Sequence, residues 1–251
     1  MQIVGYESAV GGDAALLLAD DGAVERRALA PGSDVDVGLG RRHCAGALTE
    51  SGHAACEADA APHCDVHTSR WPCARCRGDC DMPVAACHED HAVYLAAFAP
   101  ASFKVGVTRS WRLDERLREQ GADRAAHIRS VEDGRRARRI EAGIAESIGD
   151  QVRVATKVEG IHRPVDGGAW TALLADFDPI ETLAFDYGFS LSARPVTATM
   201  ARGTVRGVQG RVLVLDRGDT TYAVDLRDLV GHEVRADAAA ADRQASLGAF
   251  E

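Results

Sequence analysis

Hydrophobic and polar positions along the first forty residues come in short runs broken by turn residues, the pattern of a β-meander. The runs cover residues 1–6, 14–19, 24–29 and 35–39, and Gly11-Gly12, Asp20-Asp21-Gly22 and Pro31-Gly32 punctuate them. Residues 203–236 read the same way, with strands at 204–208, 211–215 and 221–226 that turn at Gly210 and at Asp216-Arg217-Gly218-Asp219. Each segment runs strand, glycine turn, aliphatic strand ending in Asp, turn containing Gly, strand, then a glycine shortly before a valine strand; ALLLADDG compares directly with RVLVLDRG. The pattern suggests a degenerate internal repeat. Either the two halves pair into one small barrel that brings the termini together, or they are two unrelated hairpins.

Between these segments the periodicity alternates between strand and helix. Residues 91–98 form an apolar strand candidate, residues 100–102 turn the chain, and 103–108 form a second strand. A helix follows, with Ser110 as its cap, Leu113 and Leu117 on its inner face and Gly121 at its end. A second helix is expected to start at Ser130, with Asp133 three residues on as in a capping box, and Ile140, Ile144 and Ile148 mark its buried stripe. Residues 152–158 read as a strand, and 166–177 and 180–185 as helices separated by Asp178-Pro179. The predicted fold class is α+β: a β-meander at 1–40, a cysteine-rich module at 41–90, an α/β core at 91–160, a helical connector at 161–200, a second β-meander at 201–236 and a flexible tail at 237–251.

Composition narrows the setting. The net charge is -9, carried by 24 Asp and 14 Glu, while the basic residues are 27 Arg and only 2 Lys. An acidic surface of this kind keeps a protein hydrated where salt screens charges within a few ångströms, which suggests a high-salt, haloarchaeal cytoplasm. No apolar run reaches membrane-spanning length, so no membrane partner is expected. The charge is also uneven: residues 101–145 hold ten Arg and Lys104 against seven acids. A basic stretch inside an acidic chain points to phosphate binding, and a solvated helix face laced with ion pairs is its plain alternative.

All seven cysteines fall between Cys44 and Cys87, and with His67 they make eight soft ligands, enough for two closed tetrahedral zinc sites. Cys44, Cys56, Cys64 and His67 form the first set. Its Cys-x2-His end grips one ion from a tight turn while the distant pair ties down the intervening loop. The second set is Cys73, Cys76, Cys80 and Cys87, with His88 and His91 as alternatives to Cys87. Within it, Cys73-Ala-Arg-Cys76-Arg-Gly78 has zinc-knuckle form, because glycine permits the left-handed turn that points N–H groups at sulfur. Free core thiols and disulfides are the other possibilities. The odd count and the absence of a signal peptide argue for a reducing, cytoplasmic compartment. Closed sites like these are structural and do not by themselves imply catalysis.

Two resemblances follow from these residues. The first ligand set, with Thr49, Ser51 and Gly52 in its loop, resembles a small zinc module found beside nuclease domains. The order strand with Tyr94, turn, strand FKVG, helix with Arg116, helix with Glu141 resembles the GIY-YIG nuclease-like superfamily over residues 91–158. Tyr94 matches the tyrosine ending the first motif, Gly106 the glycine ending the second, Arg116 the helix arginine and Glu141 the later glutamate. The resemblance implies that Tyr94 helps to activate water, Arg116 holds the scissile phosphate and Glu141 binds one Mg2+ or Mn2+ ion, a chemistry suited to phosphodiester hydrolysis. Ala92 replaces the first motif's glycine, and Lys104 replaces the second motif's tyrosine, as in "KIG" relatives. Over the complete chain the sequence is also similar to an uncharacterised family with haloarchaeal members, which lends no activity.

Each residue also has a structural reading. Tyr94 is a core aromatic, Arg116 pairs with Glu115 or Glu119, Glu141 pairs with Arg138 or Arg139, and Gly106 allows close packing. Lys104 and Lys157, the two lysines of an arginine-using chain, are expected to share a phosphate-binding groove with Arg116. The expectation is a cytoplasmic, zinc-stabilised protein that binds DNA or RNA, either as a metal-dependent endonuclease or as a non-catalytic module contacting a protein partner on a degenerate nuclease-like scaffold.

Overall fold

A computed structural model describes residues 1–68, 76–80 and 85–235. The chain divides into two compact units, Met1–Ser69 with Pro195–Glu251 and Arg70–Arg194. In chain order the elements are β1 (Gln2–Glu7), β2 (Ala15–Asp20), β3 (Ala23–Ala28), β4 (Asp34–Arg42), β5 (Ala47–Thr49), β6 (Gly52–Ala54), β7 (His91–Phe98), β8 (Ser102–Arg109), α1 (Leu113–Gln120), β9 (Arg124–Val131), α2 (Gly134–Ile148), α3 (Val154–Gly160), α4 (Gly167–Leu174), β10 (Glu181–Ala184), β11 (Val196–Thr197), β12 (Ala201–Gln209), β13 (Val212–Arg217), β14 (Thr220–Asp225), α5 (Leu226–Leu229) and β15 (His232–Arg235). No described helix is long and apolar enough to cross a membrane.

In the first unit both β-meanders enter one sheet, in the order β3-β2-β1-β15-β4-β12-β13-β14-β11. Exchanging β1 with β12, β2 with β13, β3 with β14 and β4 with β15 reverses this order and leaves it otherwise unchanged, apart from the short β11. The segments are therefore two copies of one unit related by a pseudo-twofold, and each copy hands its fourth strand to the other. The hydrogen bonds repeat the symmetry. Gly32 N–H donates to Val205 O at 2.7 Å and Gly231 N–H to Ile3 O at 2.8 Å, while Leu29 N–H donates to Ala14 O at 2.7 Å and Leu226 N–H to Arg211 O at 2.9 Å. Both copies carry a bulge at the same place, between Ile3 and Gly5 and between Val205 and Gly207. The equivalent leucines Leu16, Leu18 and Leu29 meet Leu213, Leu215 and Leu226 in one buried core, the non-directional gain that holds the exchanged strands together.

The sheet does not close into the small barrel. Its ends are β3 and β11, and no pairing joins them among the described residues. The exposed strand β3 carries Glu25, Arg26 and Arg27, and Arg26 is 2.6 Å from Glu7. A charged edge of this kind resists further pairing.

In the second unit the sheet order is β10-β9-β7-β8, with β7 in the middle and buried from Ala92 to Phe98. Strand alternation sends Val93, Leu95 and Ala97 to a face that packs with Ala137, Ile140 and Ile144 of α2 and with Trp170 of α4. Ala92, Tyr94, Ala96 and Phe98 face Leu113 and Leu117 of α1.

Several elements differ from their sequence reading. Residues from Ser130 do not start a helix: Arg124–Val131 is strand β9, and Asp133 is the cap of α2, accepting from Arg135 N–H at 2.8 Å and Arg136 N–H at 2.9 Å. Ser110 opens a 3-10 turn and its side chain does not cap α1. Residues 152–158, read as a strand, contain the start of helix α3. Val158 is buried there, and the helix ends at Gly160, where a side chain would collide with the Ala99 carbonyl, so packing overrides the local β preference of valine. Residues 180–185, read as helical, contain β10, because β9 offers an unpaired edge to Glu181–Ala184. The expected tail at 237–251 lies outside the described residues.

Candidate metal centre and candidate catalytic cluster

The structure brings the first ligand set together as a cluster able to hold a metal ion. One ligand atom from each of Cys44, Cys56, Cys64 and His67 lies within 4.8 Å of every other. His67 Nδ1 is 3.4 Å from Cys44 Sγ and 3.3 Å from Cys64 Sγ, and Cys56 Sγ is 4.0 Å from Cys64 Sγ. Zinc–sulfur bonds of about 2.3 Å and zinc–nitrogen bonds of about 2.0 Å in a tetrahedron put ligand atoms roughly 3.5–3.8 Å apart. The cluster therefore needs only a small contraction to hold an ion, and Nδ1 is the imidazole nitrogen that faces it. All three cysteines are free thiols.

Local structure explains the approach of the ligands. A tight turn joins the last two, since both His67 N–H at 3.0 Å and Thr68 N–H at 2.8 Å donate to the Cys64 carbonyl. Gly46 N–H and Cys64 N–H point at Cys44 Sγ from 3.4 and 3.2 Å. Gly46 has a φ of 65°, and a side chain there would collide with the Ala54 carbonyl. The His67 backbone N–H holds the Cys64 thiol down to about 6, while Cys56 is pushed up: the Ala58 N–H lowers it, but desolvation and the neighbouring Cys44 and Cys64 thiols prevail. In the intervening loop Thr49 Oγ1 lies 3.1 Å from both Ser51 Oγ and Gly52 O, closing the β5–β6 hairpin.

The second ligand set is placed only in part. Cys73 lies outside the described residues. Cys76 and Cys80 bring their sulfurs to 3.7 Å, and Gly78 N–H donates to Cys76 Sγ at 3.3 Å. Gly78 has a φ of +84°, and Arg139 Nε donates to its carbonyl at 3.0 Å, tying the knuckle to α2. Cys87 and His91 both border Gly134, where an added Cβ would lie 2.9 Å from His91 Nε2 and 3.3 Å from Cys87 Cα. Among the described residues these groups do not gather into a three-ligand cluster.

The candidate catalytic residues come from four elements, β7, β8, α1 and α2. Tyr94 is 1 % exposed and accepts a hydrogen bond from Gln120 Nε2 at 2.7 Å. Burial pushes its hydroxyl up, offset in part by Gln120 and by the Arg116 guanidinium, and the Glu141 carboxylate raises it further. Lys104 lies directly opposite Ala96 and Gly106 directly opposite Tyr94, so both belong to the Tyr94 face. Burial lowers the Lys104 ammonium to about 8, Arg116 lowers it too, and Glu141 and Asp150 work against them. Tyr94, Lys104, Arg116 and Glu141 thus share one electrostatic neighbourhood. Their ion pairs also match the structural readings: Arg116 lies 2.9 Å from Glu119, and Glu141 lies 2.7 Å from Arg138.

Lys157 is placed at the end of α1, beside the Gln120 that engages Tyr94. Its Nζ donates to the Gln120 backbone carbonyl at 2.7 Å and sits 4.2 Å from the Phe98 ring centroid. It thereby neutralises the carbonyl end of α1.

Three residues were missed by sequence reasoning. Gln120 had no signal, being one amide at a helix end. His43 adjoins Cys44, and that adjacency was a usable signal. Trp111 is 68 % exposed, donates its indole N–H to Glu89 at 3.1 Å, and has Arg109 and Arg112 guanidinium carbons 5.8 Å from its ring centroid.

The chain belongs to the family described as protein of unknown function (DUF2797), whose model matches residues 40–234. The match begins near the end of β4, ends in β15 and spans both groups of candidate residues. No curated protein and no solved structure matches the chain.

Proposed function

We propose that this family member is a zinc-stabilised nucleic-acid-binding protein whose phosphate-contacting site is formed by Tyr94, Lys104, Arg116 and Glu141 on a GIY-YIG-like core. The observation that carries the reading is that Tyr94 and Lys104 lie on one face of the β7–β8 pair, where each feels both the Arg116 guanidinium and the Glu141 carboxylate. Lys104 supports it most directly, because keeping an ammonium in a partly desolvated place costs stability unless an anion comes to it. The hairpin β7–β8, the helix α1 with Arg116 and the helix α2 with Glu141 come in the chain order that the resemblance implies.

Zinc is the ion proposed for Cys44, Cys56, Cys64 and His67, because three cysteine sulfurs and an imidazole nitrogen gathered within 4.8 Å of one another suit a closed structural zinc site. A second zinc is assigned to Cys73, Cys76, Cys80 and Cys87, with His88 and His91 as alternatives to Cys87. Two ions per chain by elemental analysis is the expected result, and one ion would remove the second assignment. Mg2+ or Mn2+ suits a site with one carboxylate when phosphate oxygens and water supply the other ligands. Glu141 would hold such an ion, and the ion would supply charge neutralisation at the phosphate. Trp111 between two arginines adds a stacking surface for an unpaired base.

One observation favours a second reading in which the scaffold binds without cleaving. The Tyr94 hydroxyl is buried and engaged by Gln120, a poor position for activating water. The test is incubation of the purified protein with labelled single- and double-stranded DNA and RNA, with Mg2+ or Mn2+, at high and low salt. Cleavage that Glu141→Ala abolishes at constant zinc content establishes the endonuclease. Binding without cleavage establishes the second reading, and neither binding nor cleavage overturns the proposal in favour of a protein partner.

A further inference from the structure

We infer that His43 is a positioning residue for the metal centre, and that with Gln2 it couples metal occupancy to the seam where the two β-repeats exchange strands. This rests on the proposed metal binding at Cys44, Cys56, Cys64 and His67, and it concerns residues that are not themselves ligands.

His43 stands between the last residue of β4 and the first ligand. It is 5 % exposed. Its ring Nδ1 lies 2.9 Å from the Cys56 carbonyl, and its backbone N–H donates to the Gly231 carbonyl at 3.0 Å. A carbonyl only accepts, so Nδ1 carries a proton and points it at Cys56. Gln2 Nε2, with two N–H donors to share, lies 3.2 Å from His43 Nε2, 3.2 Å from the Cys44 carbonyl and 3.0 Å from the Gly231 carbonyl, and Glu233 Oε1 lies 3.6 Å from His43 Nε2. The backbones of two ligands, Cys44 and Cys56, are thus held through two buried side chains to the residue that precedes β15.

Gly231 is the junction. Its N–H donates to Ile3 of β1, its carbonyl receives His43 and Gln2, and a side chain on it would collide with the His43 carbonyl. The apolar contacts follow the same path, since Ala45 packs with Val4, Ala19 and Val230 in one small cluster. The symmetry-related position, Gly32, makes the equivalent bond to Val205 but has nothing among the described residues within 4 Å of an added Cβ. Only one of the two strand exchanges is therefore tied to the metal loop. Because binding coupling is reciprocal, loosening His43 weakens metal binding, and removing the metal loosens β15.

The test uses the full chain. Zn2+ and Co2+ affinities are measured by competition with a chelating dye for wild type, His43→Phe, which keeps the ring volume and loses the donor, and His43→Asn, which keeps a donor near the Nδ1 position. His43→Phe is expected to bind metal ten- to a hundredfold more weakly, with His43→Asn recovering most of the loss. Amide hydrogen exchange of the wild type, metal-loaded and metal-free, is the second measurement and needs no variant. Residues 232–235 should exchange faster without metal, while 213–224 change much less. Unchanged affinity in His43→Phe, or equal exchange at 232–235 in both forms, overturns the inference while leaving the metal site standing. Wild type that binds neither ion overturns both.

Discussion

Gly106 lies directly opposite Tyr94 across the β7–β8 pair, and a Cβ added to Gly106 would sit 2.5 Å from both Cζ and Oη of the tyrosine ring. The glycine exists to let that ring lie flat on the strand with its hydroxyl at Gln120. Gly106→Ala must move a fully buried ring away from its hydrogen bond, and rigid interiors resist such movement. We expect a loss of about 1–3 kcal/mol, seen as a fall in Tm of roughly 3–10 °C by calorimetry. A Tm equal to wild type would mean that the ring has room to move, and the packing argument for Gly106 would fail.

Lys104 makes a prediction with two opposite signs. Its folded value, about 8, is below the ordinary 10.5, so the folded state disfavours the charged form. Between these values the unfolded chain holds the proton and the folded chain does not, so this group's contribution to stability rises as pH increases from about 8 to 10.5 and is least favourable below 8. Lys104→Met is therefore expected to stabilise the protein at pH 7, by at most about 2–3 kcal/mol, and to flatten the wild-type difference above pH 8. The same variant should lose nucleic-acid affinity and salt dependence. Gain of stability with loss of binding is the signature of a site held at a cost. Unchanged affinity removes Lys104 from the site.

The sequence carried the repeat legibly but not its consequence. ALLLADDG and RVLVLDRG lie in the equivalent strands β2 and β13 with their turns, because an aliphatic strand followed by an Asp and Gly turn is a local pattern. The exchange of β4 and β15 is a choice of partners made some two hundred residues apart, and no local signal encodes it. Strand β9 was hidden for a related reason: Arg124, His127 and Arg129 interrupt its apolar positions, and only pairing with β7 makes it a strand. The first ligand set was legible because holding a metal ion restricts residue types and spacings. Gln120 was not identified, since one amide acquires its role only when the Tyr94 hydroxyl reaches it; His43 went unread although it adjoins Cys44.

Trp111 is expected to report directly on an unpaired base. Its indole N–H is pinned by Glu89 and its ring lies near two guanidinium groups, so the ring is presented at little cost in ordering. Trp111→Ala should weaken binding of a short single-stranded oligonucleotide by about 5- to 150-fold, the range for one stacked base, while Trp111→Phe retains most of it. Blunt duplex should be affected less, because its bases are already stacked. Equal binding of the oligonucleotide by Trp111→Ala and wild type, measured by fluorescence anisotropy, would exclude the stacking role.

Gly32 and Gly231 hold the same post in the two repeats, and substituting each in turn measures what only one of them supports. Both have positive φ, +83° and +95°, so alanine at either place meets a backbone cost of roughly 1–2 kcal/mol. No described residue comes within 4 Å of a Cβ at Gly32, and Gly32→Ala should lose little more than that backbone cost. At Gly231 the new methyl group meets the His43 carbonyl, one residue from Cys44, and has to displace the metal loop to fit. Gly231→Ala should therefore cost about 1–3 kcal/mol more and weaken Zn2+ affinity as well, whereas Gly32→Ala leaves Zn2+ affinity at its wild-type value. Matching losses of stability and affinity in the two variants would mean that the metal loop imposes nothing on its own side of the pseudo-twofold.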